Sequence, residues 1–178
     1  MKKGVFLDRD GVINKIVIHN NLKDKIGKTC KDPLNLEEFI ILPKVKEAIN
    51  NFKKNKYELI IVSNQPGLIK GFYKKEVLDE ITKFIKESLR IKYIYYCLDH
   101  PLYNGDCDCR KPKPGLLLKA AKELKINLNQ SILIGDQETD IEAGIKAGCK
   151  TILISKTKNK RADFTAKNLL EASKIICP

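Results

Sequence analysis

Two aspartates separated by one residue follow a short apolar run near the start of the chain. The run covers residues 5–7, and Asp8 and Asp10 follow it just before Gly11. Because side chains alternate along a strand, the two carboxylates would point to the same side of a sheet edge. They repel each other, so a cation is expected beside them, and oxygen ligands of this kind suit magnesium. The alternative is a strand that ends in a solvated Asp-Gly turn.

Polar side chains also follow other apolar runs of the chain. Ser63 and Asn64 follow the second predicted strand, Asp136 and Asp140 come at the end of the fourth, and Lys111 arrives from a loop. The carboxyl ends of parallel strands form one edge, where ligands bind in open α/β sheets. Taken alone, Ser63 and Asn64 could equally be turn residues. The combined set predicts a single site.

Acids, a hydroxyl and a lysine at one edge are what phosphoryl transfer requires. Asp8 would attack phosphorus and become an aspartyl phosphate, while Asp10 would act as general acid and then general base. Magnesium would be bound by Asp8, Asp136 and the backbone carbonyl of Asp10, and Lys111 would add positive charge. Ser63 and nearby amides would donate hydrogen bonds to the phosphate oxygens.

Three of the six cysteines are clustered in one loop. They are Cys97, Cys107 and Cys109, and His100 lies among them. In a chain without secretory features such a cluster indicates metal binding before it indicates disulfides. Three thiolates and one histidine make a closed tetrahedral zinc site, which is structural. The alternative is a group of reduced, buried cysteines without a metal.

The apolar runs and the helical periodicities alternate along the chain. This order predicts an α/β fold, a three-layer α/β/α sandwich around a mainly parallel sheet. The predicted strands are residues 5–7, 57–62, 93–97, 131–136 and 151–154. The predicted helices are residues 43–56, 74–90, 114–124, 137–147 and 166–176, with Gly148 as the C-terminal cap of the fourth.

The length of 178 residues suits a single domain, 1–178, with one substantial core. Residues 15–38 show no sustained period and leave the predicted catalytic edge, so we expect a substrate-covering loop with a short hairpin rather than a separate cap domain. Residues 97–109 form the predicted zinc loop. No predicted helix has an apolar face left over, which favours a monomer.

The composition excludes several classes of protein. No run approaches 18 apolar residues and no signal-peptide core follows the start of the chain, so we expect a cytoplasmic protein without a membrane segment. The net charge of +12 reflects a solvated basic surface or attraction of an anionic partner. Aromatic residues are not interleaved with the charges, so a nucleic-acid groove is not indicated.

Four segments together resemble the haloacid dehalogenase (HAD) superfamily, in the branch of histidinol phosphatases and D-glycero-D-manno-heptose 1,7-bisphosphate 7-phosphatases. These segments are residues 6–14, 63–65, 107–112 and 135–136, in that order. The resemblance covers nearly the whole chain. It implies a HAD-like (Rossmannoid) domain without a cap that cleaves small sugar or alcohol phosphates with magnesium.

The resemblance also implies roles for individual residues. The implied site comprises the nucleophile Asp8, the acid/base Asp10, the magnesium ligand Asp136 and the substrate-binding residues Ser63, Asn64, Arg110 and Lys111. The zinc loop would hold Arg110 and Lys111 against the phosphate.

The chain departs from the family pattern at three places. The family reads Cys-x-His where this chain has Asp99, and His100 follows one residue later. Zinc prefers nitrogen beside three thiolates, which favours His100 and leaves Asp99 as the alternative. The family commonly has lysine where this chain has Gln137, and its Gly-Tyr-Val segment is absent from residues 15–38. The last two changes concern substrate recognition.

The expected reaction is removal of the 7-phosphate of heptose 1,7-bisphosphate, in nucleotide-heptose synthesis. A basic protein suits a bisphosphate. Histidinol phosphate is an alternative substrate with the same chemistry, but it is cationic. A nucleic-acid-binding or end-processing protein is the alternative from another class, although the loop lacks paired Cys-x-x-Cys knuckles and a basic recognition helix.

Overall fold

The computed structural model describes residues 2–177, which form a layered α/β structure. Its strands are β1 (Gly4–Leu7), β2 (His19–Lys23), β3 (Thr29–Cys30), β4 (Glu58–Asn64), β5 (Tyr93–Cys97), β6 (Ile132–Gly135), β7 (Lys150–Ile154) and β8 (Phe164–Ala166). Its α-helices are α1 (Val45–Lys54), α2 (Lys75–Leu89), α3 (Pro101–Asn104), α4 (Gly115–Leu124), α5 (Glu138–Ala147) and α6 (Leu169–Ile176).

Six strands form one parallel sheet in the order β5-β4-β1-β6-β7-β8. The chain runs from β1 to β4 and β5 on one side and then crosses over to β6 on the other side of β1, so the topological switch point of the sheet lies at β1. Ligands bind beyond the carboxyl ends of the strands at such a point. The topology therefore places the residue that follows β1 at the centre of the candidate site.

Alternation along the buried strands sends successive side chains into two cores. Val5 and Leu7 pack on the face covered by α1, α2 and α6. Phe6 packs on the opposite face, against α4 and α5. Strands buried on both faces are uniformly apolar, which is why residues 5–7 give such a clear signal in the sequence. The predicted three-layer α/β sandwich is confirmed.

Residues 15–38 contain a small antiparallel pair, β2 with β3, beside the main sheet. The short hairpin expected in this segment is present. Within residues 2–177, no helix combines the length and the apolar character needed to cross a membrane.

The sequence-based prediction was wrong about the end of the chain. The last helix begins at Leu169 rather than at residue 166, and the strand β8 precedes it. Strand β8 is three residues long and lies at the sheet edge, with Phe164 exposed and only Ala166 buried. It therefore has no apolar run to mark it. The short helix α3 inside the zinc loop was also missed.

Asn168 caps the start of α6, because its side chain accepts a hydrogen bond of 3.0 Å from Glu171 N. We expect Asn168→Ala to lower the free energy of unfolding by about 1 kcal/mol, since the backbone N–H of Glu171 would lose its acceptor. Asn168→Asp keeps the acceptor and should unfold like the parent protein. Denaturant titrations of the three proteins measure this, and equal stability of Asn168→Ala and the parent would show that the cap contributes nothing.

Candidate active site

The carboxyl ends of β1, β4 and β6 open into a cavity of about 410 Å³. The sequence-predicted residues Asp8, Asp10, Ser63, Asn64, Arg110, Lys111 and Asp136 all line it. The edge of the sheet thus brings together side chains from distant parts of the chain.

Lys111 joins two carboxylates at the base of this cavity. Its Nζ lies 2.7 Å from Asp8 Oδ1 and 2.5 Å from Asp140 Oδ1, and it donates a third contact of 2.9 Å to Val62 O. The Lys111 side chain is only 2% exposed. Sequence reasoning placed Asp140 near this edge but assigned it no role.

Burial and the attraction between Lys111 and the aspartates act in opposite directions on the pKa values of these groups. Burial raises the pKa of Asp8 to about 7, with help from Asp140 and Asp10, while Lys111 works against the rise. Burial lowers the pKa of Lys111, but the charges of Asp8 and Asp140 outweigh it, and the net pKa is raised. The ammonium therefore stays charged between the two aspartates.

The carboxylates of Asp8, Asp136 and Asp140 form a group in which one oxygen has no hydrogen-bond partner among the described residues. One carboxylate oxygen from each lies within 4.8 Å of the others. Asp136 Oδ1 is buried and has no hydrogen-bond partner among the described residues. An orphaned buried carboxylate oxygen in an all-oxygen donor set fits a divalent cation such as magnesium.

Two glycines make room for these carboxylates. A Cβ on Gly11, where φ is +85°, would collide with the Asp136 carboxylate. A Cβ on Gly135 would collide with the Asp140 carboxylate. Any other residue at these positions would displace the acids from the cavity.

Asp10 is held by four donated hydrogen bonds. Arg9 donates from Nε and Nη2, each at 3.1 Å, and Asn14 donates from Nδ2 at 2.9 Å. Gln65 Nε2 donates at 2.6 Å and is itself fixed, because Tyr73 donates from its hydroxyl to Gln65 Oε1 at 3.2 Å. Sequence reasoning missed the parts played by Gln65 and Tyr73. Gln65 lies next to the predicted Ser63-Asn64 pair, but nothing in the sequence links Tyr73 to it.

The other predicted substrate-binding residues differ in how far hydrogen bonds to the protein fix their side chains. Asn64 accepts from Lys111 N and donates to Lys111 O, both at 3.1 Å, so its amide positions the main chain of Lys111. Ser63 is buried and accepts from Gln65 Nε2 at 3.1 Å. Arg110 donates from Nη1 to Asp99 O at 3.2 Å, which leaves the rest of its guanidinium at the cavity wall.

The zinc loop brings three thiols and one carboxylate together. Cys97, Asp99, Cys107 and Cys109 each offer one ligand atom, and these atoms lie within 4.8 Å of one another. Cys107 Sγ lies 3.4 Å from Cys97 Sγ and 3.1 Å from Cys109 Sγ. Three thiols and one carboxylate in a compact group fit a tetrahedral structural zinc site.

His100 lies outside this group of four. Its Nδ1 accepts from Leu102 N at 3.3 Å at the start of α3, and its ring packs edge-on against Tyr103. The Asp99 carboxylate instead faces the thiols, with Oδ2 3.6 Å from Cys109 Sγ, while Asn104 Nδ2 donates to Oδ1 at 2.6 Å. The structure therefore places the alternative residue, Asp99, beside the cysteines.

The chain is similar in sequence to known proteins. The family model described as HAD-hydrolase-like matches residues 108–176. The chain is 33% identical to D-glycero-beta-D-manno-heptose-1,7-bisphosphate 7-phosphatase of Pasteurella multocida over 99% of this chain and 97% of the relative. It is 37% identical to the D-glycero-alpha-D-manno-heptose-1,7-bisphosphate 7-phosphatase of Campylobacter jejuni, over 95% of this chain and 92% of that one.

A solved structure shares the fold. The D,D-heptose 1,7-bisphosphate phosphatase of B. bronchiseptica, complexed with magnesium and phosphate, superposes with a TM-score of 0.81 at 23% identity, covering 98% of this chain and 97% of that chain. The fold and the clustered aspartates define a HAD-type phosphatase, which is a phosphoric monoester hydrolase. Within that class, the chain belongs to the family of D-glycero-D-manno-heptose-1,7-bisphosphate 7-phosphatases.

The paired hydrogen bonds between Asn64 and Lys111 suggest a graded experiment. Asn64→Ala removes both bonds and should lower kcat/KM about 10-fold, because two bonds worth about 0.5–1.5 kcal/mol each hold the lysine in place. Asn64→Asp keeps the acceptor for Lys111 N, and its kcat/KM should lie between those of Asn64→Ala and the parent. Steady-state phosphate release measures the series, and parental kcat/KM in Asn64→Ala would rule out the positioning role.

Proposed function

We propose that the protein removes the 7-phosphate of D-glycero-D-manno-heptose 1,7-bisphosphate, in the synthesis of nucleotide-activated heptose. The observation that carries this proposal is the buried contact of Lys111 with Asp8 and Asp140, next to Asp10 in a cavity of about 410 Å³. The relatives named for this reaction, which match over most of the chain, support the choice of substrate.

In the proposed mechanism, Asp8 attacks the phosphorus and the bond to the sugar oxygen breaks. Asp10 gives its proton to the leaving alkoxide, and Asp8 becomes an aspartyl phosphate. Asp10 then takes a proton from water, whose oxygen attacks phosphorus and releases inorganic phosphate from Asp8. Lys111 opposes the effect of burial on Asp8 and so favours the ionised carboxylate that attacks.

Asp8, Asp136 and the carbonyl oxygen of Asp10 would hold Mg²⁺, with Asp140 nearby. The bound ion would supply positive charge that offsets the repulsion between the phosphate and the attacking carboxylate. The unpartnered oxygen of Asp136 supports this assignment.

A second phosphate has partners at the cavity wall. Lys31 and Arg110 line the same cavity as Asp8, and Lys31 is exposed. Together with the net charge of +12, they favour a bisphosphate over the cationic histidinol phosphate. We further propose a cytoplasmic monomer with one domain, 1–178, in which residues 15–38 cover the substrate.

Phosphate release from heptose 1,7-bisphosphate and from histidinol phosphate, each with magnesium, tests the proposed function. We expect turnover of the bisphosphate and at least about 100-fold lower kcat/KM for histidinol phosphate, which lacks a second anion. Asp8→Asn should abolish both activities, whereas the exposed Asp79→Asn should retain them. Turnover of histidinol phosphate alone would refute the heptose assignment, and an active Asp8→Asn would refute the mechanism.

The zinc loop would hold one structural Zn²⁺ through Cys97, Asp99, Cys107 and Cys109. Asp99 replaces His100 in this proposal, because its carboxylate faces the thiols and the His100 ring does not belong to the group. The site would fix the loop that carries Arg110, whose guanidinium already contacts the main chain of Asp99.

Metal analysis of purified variants separates these assignments. We expect about one equivalent of zinc in the parent and in His100→Ala, and a clear loss in Asp99→Ala and Cys109→Ser. Cys109→Ser should also raise KM and lower kcat, since Arg110 and Lys111 would lose their support. Cys177→Ser, outside the group, is the control. A zinc-free parent would refute the site, and zinc loss in His100→Ala alone would restore His100 as the ligand.

A further inference from the structure

Asp32 is a further aspartate on the cavity wall that does not belong to the group of Asp8, Asp136 and Asp140. It follows β3 in the segment 15–38 and lines the cavity wall together with Ile16 and Ile18. Its carboxylate lies so close to Gly67 that a Cβ there would collide with Oδ2. Burial, and then the charge of Asp10, raise the pKa of Asp32 to about 6.

No hydrogen bond or ion pair reaches the Asp32 carboxylate from any residue between 2 and 177. Asp24, in the same segment, shows the contrast. Its carboxylate accepts hydrogen bonds from Lys28 N at 2.8 Å and Ile26 N at 3.1 Å, and pairs with Lys70 Nζ at 3.1 Å. Burial opposes ionisation of Asp24, but these contacts lower its pKa to about 2. One acid of the segment is thus satisfied by the protein and the other is not.

A carboxylate withdrawn from bulk water needs donors to offset its lost hydration. The described residues supply none, and Asp32 is only partly buried and faces the cavity, so a molecule that binds there can supply the donors in place of water. Arg9, Lys70 and Arg110 lie near enough to lower the pKa of Asp32 without pairing with it. These three cations outnumber the one nearby anion, Asp10, so a further cation is disfavoured and neutral hydroxyl groups are the donors that fit.

We infer that Asp32 is a specificity-determining residue that recognises hydroxyl groups on the carbon chain of the substrate. This inference rests on the proposed function and adds the chemical basis of its selectivity. Ile16 and Ile18 give the same wall an apolar surface for the carbon chain, and Lys31 lies beside them. The segment 15–38 therefore selects a polyhydroxylated phosphate ester over a phosphate ester without hydroxyl groups.

Two substrates that differ in their leaving groups test this inference. Heptose 1,7-bisphosphate carries hydroxyl groups on its chain, whereas p-nitrophenyl phosphate has none. Asp32→Ala should lower kcat/KM for the bisphosphate about 10- to 100-fold, the loss expected for hydrogen bonds to a charged group. The kcat/KM for p-nitrophenyl phosphate should change less than about 2-fold, because that substrate offers no donor. Asp32→Asn retains one acceptor oxygen, so its kcat/KM for the bisphosphate should fall less than that of Asp32→Ala.

Glu37→Gln is the matched control, because Glu37 is an exposed acid of the same segment and does not line the cavity. It should behave like the parent with both substrates. The melting temperature of Asp32→Asn should equal or exceed that of the parent, since the variant removes an unpartnered, partly buried carboxylate.

Equal losses for both substrates, or a clear fall in melting temperature, would show that Asp32 supports the structure and would overturn the inference. A selective loss of histidinol phosphate turnover would mean that Asp32 binds an ammonium group, which would also overturn it. If the parent does not turn over heptose 1,7-bisphosphate, the proposed function fails. The same comparison is then made with the sugar phosphate that the enzyme hydrolyses best, so Asp32 is still judged on its own.

Discussion

The buried contact of Lys111 with two aspartates is the interaction on which the candidate site depends. Its ammonium lies 2.7 Å from Asp8 and 2.5 Å from Asp140, nearly out of reach of solvent. Removing one member of a buried ion pair usually costs about 3–5 kcal/mol, because the partner is left as an unpaired charge. The ends of β1 and β6 and the loop before α4 must therefore keep their relative positions, and Asn64 fixes the main chain of Lys111 for the same reason.

Close approach is the second constraint, and glycine is the residue that permits it. The carboxylates of Asp136 and Asp140 occupy the space that side chains at Gly11 and Gly135 would fill. Acids packed this tightly repel one another, so the geometry is stable only with cations among them. Lys111 supplies one such charge, and the unpartnered oxygen of Asp136 marks where another is required. The crowding of carboxylates therefore favours binding of a metal cation between them.

The sequence predicts the parts of the site that follow buried strands and fails where this signal is missing. Asp8 and Asp136 could be assigned because an apolar run precedes each of them and parallel strands share one edge. Asp32 could not, since its segment has no period and its position depends on contact with Gly67. The fourth residue of the cysteine group depends on rotamers at Asp99 and His100, which spacing alone does not determine. Strand β8 was missed because its only buried residue is Ala166.

The loops around the cavity are also joined to one another, which ties recognition to the scaffold. Asp24, at the tip of the β2–β3 hairpin, pairs with Lys70 from the loop after β4, and Lys25 Nζ lies 4.3 Å from the ring centroid of Tyr103 in the zinc loop. Because Asp24 is buried and pairs with Lys70 through Oδ2, the tip of the hairpin is anchored to the loop after β4. The wall that carries Asp32 is thus fixed before substrate arrives, and less conformational entropy is lost on binding.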